Sequence, residues 1–327
     1  MRYLITGSSG HLGDALVRTL RSSGHDVVSL DINSGPATSA VGNIANRDFV
    51  DQHMAGVDIV IHPATLHKPH VVTHSKQDFI DTNVTGTLNL LESAVSNNIS
   101  SFVFTSTTST YGHALRPDKS LPAIWVTEET IPIPKNIYGI TKLAAENLCK
   151  LIHDKEQLPI VILRTSRFFP EEDDNAEKRK RYPDGNLKLN EYLYRRVELE
   201  DVISAHILAA DRAPDINFDT YIISATPPFS QEDLEALRSD PAAVVARYHP
   251  NYSDIFKPLG WNMMADIERV YVNHKALNHL GWQPKHDFGS MLDAIAQGAD
   301  PRSPISQSIG SKGYHDEEFE DGPFPVD

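Results

Sequence analysis

Cysteine is nearly absent: Cys149 is the only one in 327 residues. That leaves no partner for an intrachain disulfide and no thiolate set for a zinc cluster. It stands in a helical stretch, Ala144–Cys149, and reads as a packed thiol. Positive charge is short as well. Thirty Lys and Arg against 44 Asp and Glu give a net charge of −14, which repels phosphate backbones and argues against nucleic acid as a partner. No apolar run approaches the roughly 18 residues of a membrane span, so no membrane contact is expected. The opening Met1-Arg2-Tyr3-Leu4-Ile5-Thr6-Gly7 enters a strand at once and lacks the form of a signal peptide. A cytoplasmic enzyme is the expectation. Gly and Pro, 18 and 21 residues, are too few for a collagenous or low-complexity chain. What is present, 40% apolar and 23% charged residues, is ordinary globular composition, enough for one large α/β domain with an added lobe.

The first half alternates short apolar runs with helical stripes. Strands are expected at Arg2–Thr6, Asp26–Leu30, Val57–Ile61, Ser101–Ser106 and Ile160–Thr165. Helical patterns fall at Leu12–Ser22, Asp78–Ser96 and Tyr138–His153. This alternation predicts an α/β fold, a doubly wound parallel (Rossmann) sheet with a smaller C-terminal substrate lobe. Right-handed crossovers then put all strand C-termini on one edge, where ligands bind. Residues 1–166 are expected to form the NAD-binding Rossmann domain, with 197–226 returning to it. Residues 167–196 and 227–299 would form the substrate lobe, and 300–327 an acidic, loose tail. The run Glu171–Arg181, EEDDNAEKRKR, reads as a solvated loop, or as a lid whose Lys178 to Arg181 meet an anionic substrate.

Three motifs carry chemistry. Thr6-Gly7-Ser8-Ser9-Gly10-His11-Leu12-Gly13 lies between the first strand and first helix. Gly7 permits a tight turn, Gly10 lets backbone approach a pyrophosphate, and Gly13 allows close helix–strand packing. The helix N-terminus offers free N–H groups to that anion. Asp31 ends the second strand, where a carboxylate accepts bonds from ribose hydroxyls and repels a 2′-phosphate, so NAD is expected over NADP. Tyr138 and Lys142 share a helix face, four residues apart. An ammonium near the phenol would lower its pKa and fit it for proton exchange with a substrate hydroxyl. The strand from Phe102 runs into the hydroxyl-rich Thr105–Thr110, where Thr107 and Ser106 are candidates to hold the reacting oxygen. His62, His67, His70 and His74 are spaced like metal ligands, but no acid or cysteine completes a set, so no metal is expected.

The glycine turn, Asp31, Gly42-Asn43-Ile44, His62-Pro63-Ala64, Asn83-Val84-Thr85-Gly86-Thr87, Ser106–Gly112, Tyr138 with Lys142, Arg164, and Asp201-Val202 with Ala205-His206 together resemble the extended short-chain dehydrogenase/reductases, in particular the NAD-dependent epimerase/dehydratase group. The likeness covers roughly residues 1–290. It implies Tyr138 as general acid/base, Lys142 on the nicotinamide ribose, and Thr107 on the substrate hydroxyl. Cofactor contacts are implied for Gly7, Gly10, His11, Leu12, Gly13, Asp31, Asn43, Ile44, Pro63, Ala64, Asn83 and Thr105. Asn43 stands where the family has Asp, and Asn83 matches a helix asparagine with a structural or water-holding role. Ser106, Thr107, Ser109, His113, Arg167, Arg195 and Arg196 are candidate substrate contacts. A homodimer through the Asp78–Ser96 and Tyr138–His153 helices is implied too.

Departures from the family narrow the reaction. Thr108-Ser109 replace the Asp-Glu of the 4,6-dehydratases, so water elimination lacks its catalysts. Ser109 also replaces the cysteine of the fucose-nucleotide epimerase-reductases. Hydride transfer at a sugar hydroxyl carbon remains. Arg167 stands where sugar-nucleotide enzymes carry Asn, and Asn262-Met263-Met264 occupy the stretch of a pyrophosphate-gripping Arg. Arg167, Arg195 and Arg196 are the candidate replacements as anion donors. The expectation is a nucleotide-sugar 4-epimerase. The alternatives are an NAD-dependent dehydrogenase or reductase of a free sugar, sugar acid or other alcohol, and a cofactor-binding protein without turnover.

Overall fold

A computed structural model describes residues 1–313 and Phe319. Its strands are β1 (Arg2–Thr6), β2 (Asp26–Asp31), β3 (Ala40–Val41), β4 (Ile59–His62), β5 (Ser101–Thr107), β6 (Ile124–Val126), β7 (Ile160–Thr165), β8 (Phe218–Ile223) and β9 (Arg269–Tyr271). The helices used below are α1 (His11–Ser22), α2 (Arg47–Met54), α3 (Lys76–Ile80), α4 (Gly86–Ser96), α5 (Ile137–Glu156), α6 (Ala176–Arg181), α7 (Asp184–Glu191) and α8 (Leu199–Ile216). Seven strands form one parallel sheet in the order β3-β2-β1-β4-β5-β7-β8. The order reverses beside β1, which opens a crevice at the strand C-termini there.

The strands read as unbroken apolar runs because both faces are covered. Alternate residues serve opposite cores. Tyr3, Ile5, Val103, Val161 and Leu163 pack under α1 and α8, while Leu4, Phe102, Phe104, Ile160 and Ile162 pack under α2, α4 and α5. A third core in the lobe gathers Leu187, Leu193, Phe229, Leu237, Phe256, Ile267, Val270 and Phe288. The parallel pair β6–β9 belongs with it, Trp125 opposite Val270. No helix among the described residues is long and apolar enough to cross a membrane.

The expected elements shift in four places. The two-residue β3 is too short to show a period. The single helix expected over Asp78–Ser96 is broken by a wide turn at Asp81–Thr85, where Gly86 comes so close to Ile44 that a Cβ would sit 2.6 Å from its side chain. Residues 276–282, expected in the lobe, put Ala276, Leu280 and Trp282 into the Rossmann core, with Trp282 Nε1 donating to Ser204 Oγ at 3.0 Å. The tail expected to be loose is packed through residue 313. Ser303 caps a helix, Pro304–Ile309, whose Ile309 joins the core of α1 and α8. Beyond residue 313 the expected acidic tail lies outside the described residues, Phe319 apart.

Candidate active site

The turn after β1 is built for close approach. Gly7 has φ +64°, and a Cβ there would lie 2.9 Å from the Ala64 Cα. A Cβ on Gly13 would lie 2.0 Å from the Gly7 carbonyl oxygen, so only glycine lets α1 sit this near the turn. Gly10 precedes α1 and supplies no side-chain cap, which leaves the first-turn N–H groups to an anionic ligand. At the end of β2 the Asp31 carboxylate accepts from Ser9 N at 2.9 Å and from Asn33 N at 2.8 Å, which fixes it beside the turn. Pro63 and Ala64 follow β4, half-buried, and Ala64 N donates to Thr6 Oγ1 at 3.1 Å. Ile44 is buried and the neighbouring Asn43 exposed. Close-packed glycines, an uncapped helix start and a held carboxylate fit a dinucleotide.

Two residues expected at the cofactor make their hydrogen bonds within the protein. Asn83 is buried, and its amide accepts from Leu66 N and Thr65 Oγ1 and donates to Leu66 O and Thr141 Oγ1, all within 2.8–3.0 Å. It braces the loop after β4 against α5. Thr105 is paired to His206 at 2.8 Å. His206 Nδ1 meets the Val202 carbonyl, so Nε2 is the acceptor and the Thr105 hydroxyl donates. Burial brings that imidazole down to about 4.

Tyr138 and Thr107 come to one cavity. α5 begins where Asn136 caps it, and this brings Tyr138 over the end of β5. The two line a cavity of about 460 Å³ together with Ser109, His67, Lys178 and Arg167. Burial lifts the phenol to about 12. Thr107 is the side chain that draws it downward, and its own Oγ1 accepts from Ser109 N at 3.1 Å. The expected acidification by Lys142 is absent. Lys142 is 1% exposed, and its Nζ lies 4.0 Å from the centre of the Phe104 ring, turned into the core beneath the sheet. Burial pushes its ammonium down to about 7, against Cys149 and Glu146.

This buried lysine has a measurable consequence. A lysine whose folded pKa lies below its unfolded value destabilises the fold fully below the folded pKa, and the penalty fades as pH rises to the unfolded value. Lys142→Met is therefore expected to raise Tm relative to the parent protein most at pH 6, and the gain should shrink steadily toward pH 10. A scan of Tm for both proteins across that range checks it.

The other expected substrate contacts divide. Ser109 lines the cavity. Ser106 turns away, donating to Glu146 Oε1, a carboxylate also held by Arg164. His113 is exposed on a short helical turn outside the cavity lining. The three arginines are paired rather than open. Arg167 meets Asp173 at 3.1 Å and Arg195 meets it at 3.0 Å. Arg196 meets Glu191 at 3.1 Å and the Phe169 carbonyl at 2.9 Å. Burial pushes the Glu191 carboxyl up, but Arg195, Arg196 and Arg167 outweigh it and hold it well below the usual carboxylate range.

The charged run after β7 is only partly solvated. Asp173 and Asp174 turn inward onto Arg167 and Arg195, Glu172 and Glu177 stay exposed, and Asn175 caps α6. Glu171 and Asp173 are buried. Of the basic stretch Lys178–Arg181, Lys178 lines the cavity, brought down to about 8 by burial and by Arg195.

His67 was not singled out in the sequence for this site. It faces the cavity with its ring 5.2 Å from Phe169, stacked, and 6.4 Å from Tyr138, edge-on. Burial and the neighbouring His70 hold it well below its ordinary value. Its signal was its place five residues after His62 in the loop that follows β4. His62 itself is spent inside the fold, between Thr6 at 2.7 Å and Thr87 at 3.0 Å.

Sheet order, glycine turn and the Tyr138–Thr107 pair define a Rossmann-type, NAD-dependent enzyme of the short-chain dehydrogenase/reductase kind. The chain belongs to the NAD-dependent epimerase/dehydratase family, whose model matches residues 3–215. It is 27% identical over 332 residues to a UDP-glucose 4-epimerase of Lactobacillus helveticus, covering 90% of this chain and 95% of that protein. It is 32% identical over 191 residues to a dTDP-glucose 4,6-dehydratase of Streptomyces niveus, covering 52% and 55%. The match to the uncharacterized protein y4nG of Sinorhizobium fredii, 34% identical, spans 49% of this chain and only 39% of that one. Among solved structures, a UDP-glucose 4-epimerase of Thermotoga maritima shares the fold with a TM-score of 0.62 at 21% identity, over 91% of this chain and 98% of the other. A short-chain dehydrogenase/reductase superfamily protein of Agrobacterium tumefaciens with bound NAD does so with a TM-score of 0.65 at 21% identity, over 91% and 96%.

Proposed function

We propose that this protein is a nucleotide-sugar 4-epimerase that oxidises a sugar hydroxyl and returns the hydride to the opposite face of the same carbon. The observation that carries the reading is that Tyr138 and Thr107 line one cavity, on a chain of this family. The turn Gly7–Gly13 and Asp31 would hold NAD, which supplies the hydride acceptor and donor when bound. Tyr138 moves the matching proton at the sugar oxygen, and Thr107 orients that oxygen. Burial keeps the phenol protonated at neutral pH, so Tyr138 as arranged is a proton donor. To accept a proton it needs a cation nearby, and Lys142, one helical turn on, is the group whose side chain can swing from Phe104 to it. Dehydration is disfavoured because Thr108 and Ser109 stand where the dehydratases carry Asp-Glu, and of the carboxylates in the lining Asp173 is tied to arginines.

The paired state of Arg167, Arg195 and Arg196 favours a second reading, a dehydrogenase or reductase of a free sugar, sugar acid or other alcohol, because it leaves less free positive charge for a diphosphate. We also read the enzyme as a cytoplasmic homodimer. Ile140 and Leu151, 52% and 50% exposed on α5, support a helix-to-helix interface. Incubation with NAD and a panel of UDP- and dTDP-sugars decides between the two readings. An epimerase should give the C4 epimer by NMR with no net absorbance of NADH. Net NADH from an unactivated sugar, with nucleotide sugars inert, would overturn the first reading.

A further inference from the structure

Residues 303–313 run as a strap from the start of α8 to the start of α1. Ser303 anchors one end, its N and Oγ donating to Glu198 Oε1 at 3.2 and 2.9 Å. Ile309 is buried in the core between the two helices. At the other end a single carboxylate oxygen, Oε1 of Glu171, gathers four donors. They are Ser311 Oγ at 2.7 Å, Lys312 N at 3.0 Å, Gly313 N at 3.3 Å and His11 Nε2 at 2.8 Å. Burial pushes the Glu171 carboxyl up, yet the bonds from His11 and Ser311 bring it to about 2. His11 is the first residue of α1, directly after Gly10, and Phe169 meets its ring at 5.5 Å. Lys312 also reaches the first turn of the helix, its Nζ 2.6 Å from Asp14 Oδ2.

We propose that Glu171 is a positioning residue that latches this strap onto His11, and that the latch raises the affinity of the glycine turn for its dinucleotide. The inference rests on the dinucleotide reading of that turn. Two physical effects support it. The first N–H of α1, among those that would meet the diphosphate, belongs to His11, whose side chain Glu171 holds, so its direction is fixed from outside the β1–α1 unit. The second effect is electrostatic. Asp14, buried in the first turn, repels an anion at the helix start. Lys312, together with Arg18 at 2.6 Å, neutralises it and leaves the positive end of the helix dipole to act.

Ser311 and Lys312 are exposed, so replacing them spares the core. The double variant Ser311→Ala/Lys312→Ala should bind NAD roughly 5- to 20-fold more weakly than the parent in a titration of cofactor-stripped protein, the usual size of such a coupling. Glu171→Gln should shift affinity the same way, and Lys312→Arg, tested alone, should keep parental affinity. Coupling is reciprocal, so NAD should slow amide hydrogen exchange across residues 303–313 in the parent protein, a readout that a purely structural strap would not move. Parental NAD affinity in the double variant, or exchange in the strap indifferent to NAD, overturns the inference. A parent protein with no affinity for NAD would instead sink the dinucleotide reading on which it stands.

Discussion

Tyr138→Phe is expected to lower kcat by roughly 10²- to 10⁴-fold, the span of a general acid–base contribution, while the Kd for NAD stays within about twofold, a change of under 0.5 kcal/mol. The phenol is 8% exposed and lines the cavity with Thr107. The glycine turn and Asp31 lie across the sheet on β1 and β2. Removing the hydroxyl therefore takes away the proton carrier without touching the anion cradle. Packing should survive because the ring remains against Leu66 and Phe79. Single-turnover kinetics, with NAD binding measured on the same preparation, check both halves. A variant that kept parental kcat would remove Tyr138 from the chemistry, and with it the epimerase and dehydrogenase readings alike.

The parts of this site that are local in sequence are the parts the sequence makes legible. The turn from Thr6 to Gly13 joins adjacent elements, and its glycines are demanded by contacts within about sixty residues, to Ala64 and to the turn itself. Tyr138 and Thr107 could be matched because each stands at the end of an element the sequence marks well, the helical stripe of α5 and the apolar run of β5. Charge placement was not legible. EEDD followed by EKRKR looks like a solvated run, since pairing partners at i+3 or i+4 are what a helix pattern offers. The actual partners of Asp173 are Arg167 and Arg195, six and 22 residues away, brought together by a turn that no periodicity marks. The direction of the Lys142 side chain was hidden for a related reason. Spacing places it on the face of Tyr138, but the aromatic ring that holds its ammonium comes from β5. The strap escaped notice because a short helix with one buried isoleucine leaves little pattern in a stretch rich in Ser, Gly and Pro.

The arginine cluster carries the second large effect. Glu191, the last residue of α7, is 1% exposed and faces Arg195, Arg196 and Arg167. Glu191→Gln keeps the shape and removes the charge, leaving three guanidiniums with Asp173 and Asp174 as their remaining acidic partners. Breaking a buried ionic network from one side typically costs about 3–5 kcal/mol, and a loss of that size is expected in denaturant unfolding. Arg167 and Arg195 line the cavity, so their guanidiniums are placed to meet an anion even in the parent protein. Removing the central carboxylate should add to their capacity to bind one. The variant, although less stable, should therefore gain more thermal protection from inorganic phosphate or pyrophosphate than the parent does. Equal protection would mean that these arginines stay committed to their acidic partners, and the diphosphate of a nucleotide sugar would then have to be held elsewhere, with Lys68, Arg116, Lys135, Lys178 and Arg269 the other cations in the lining.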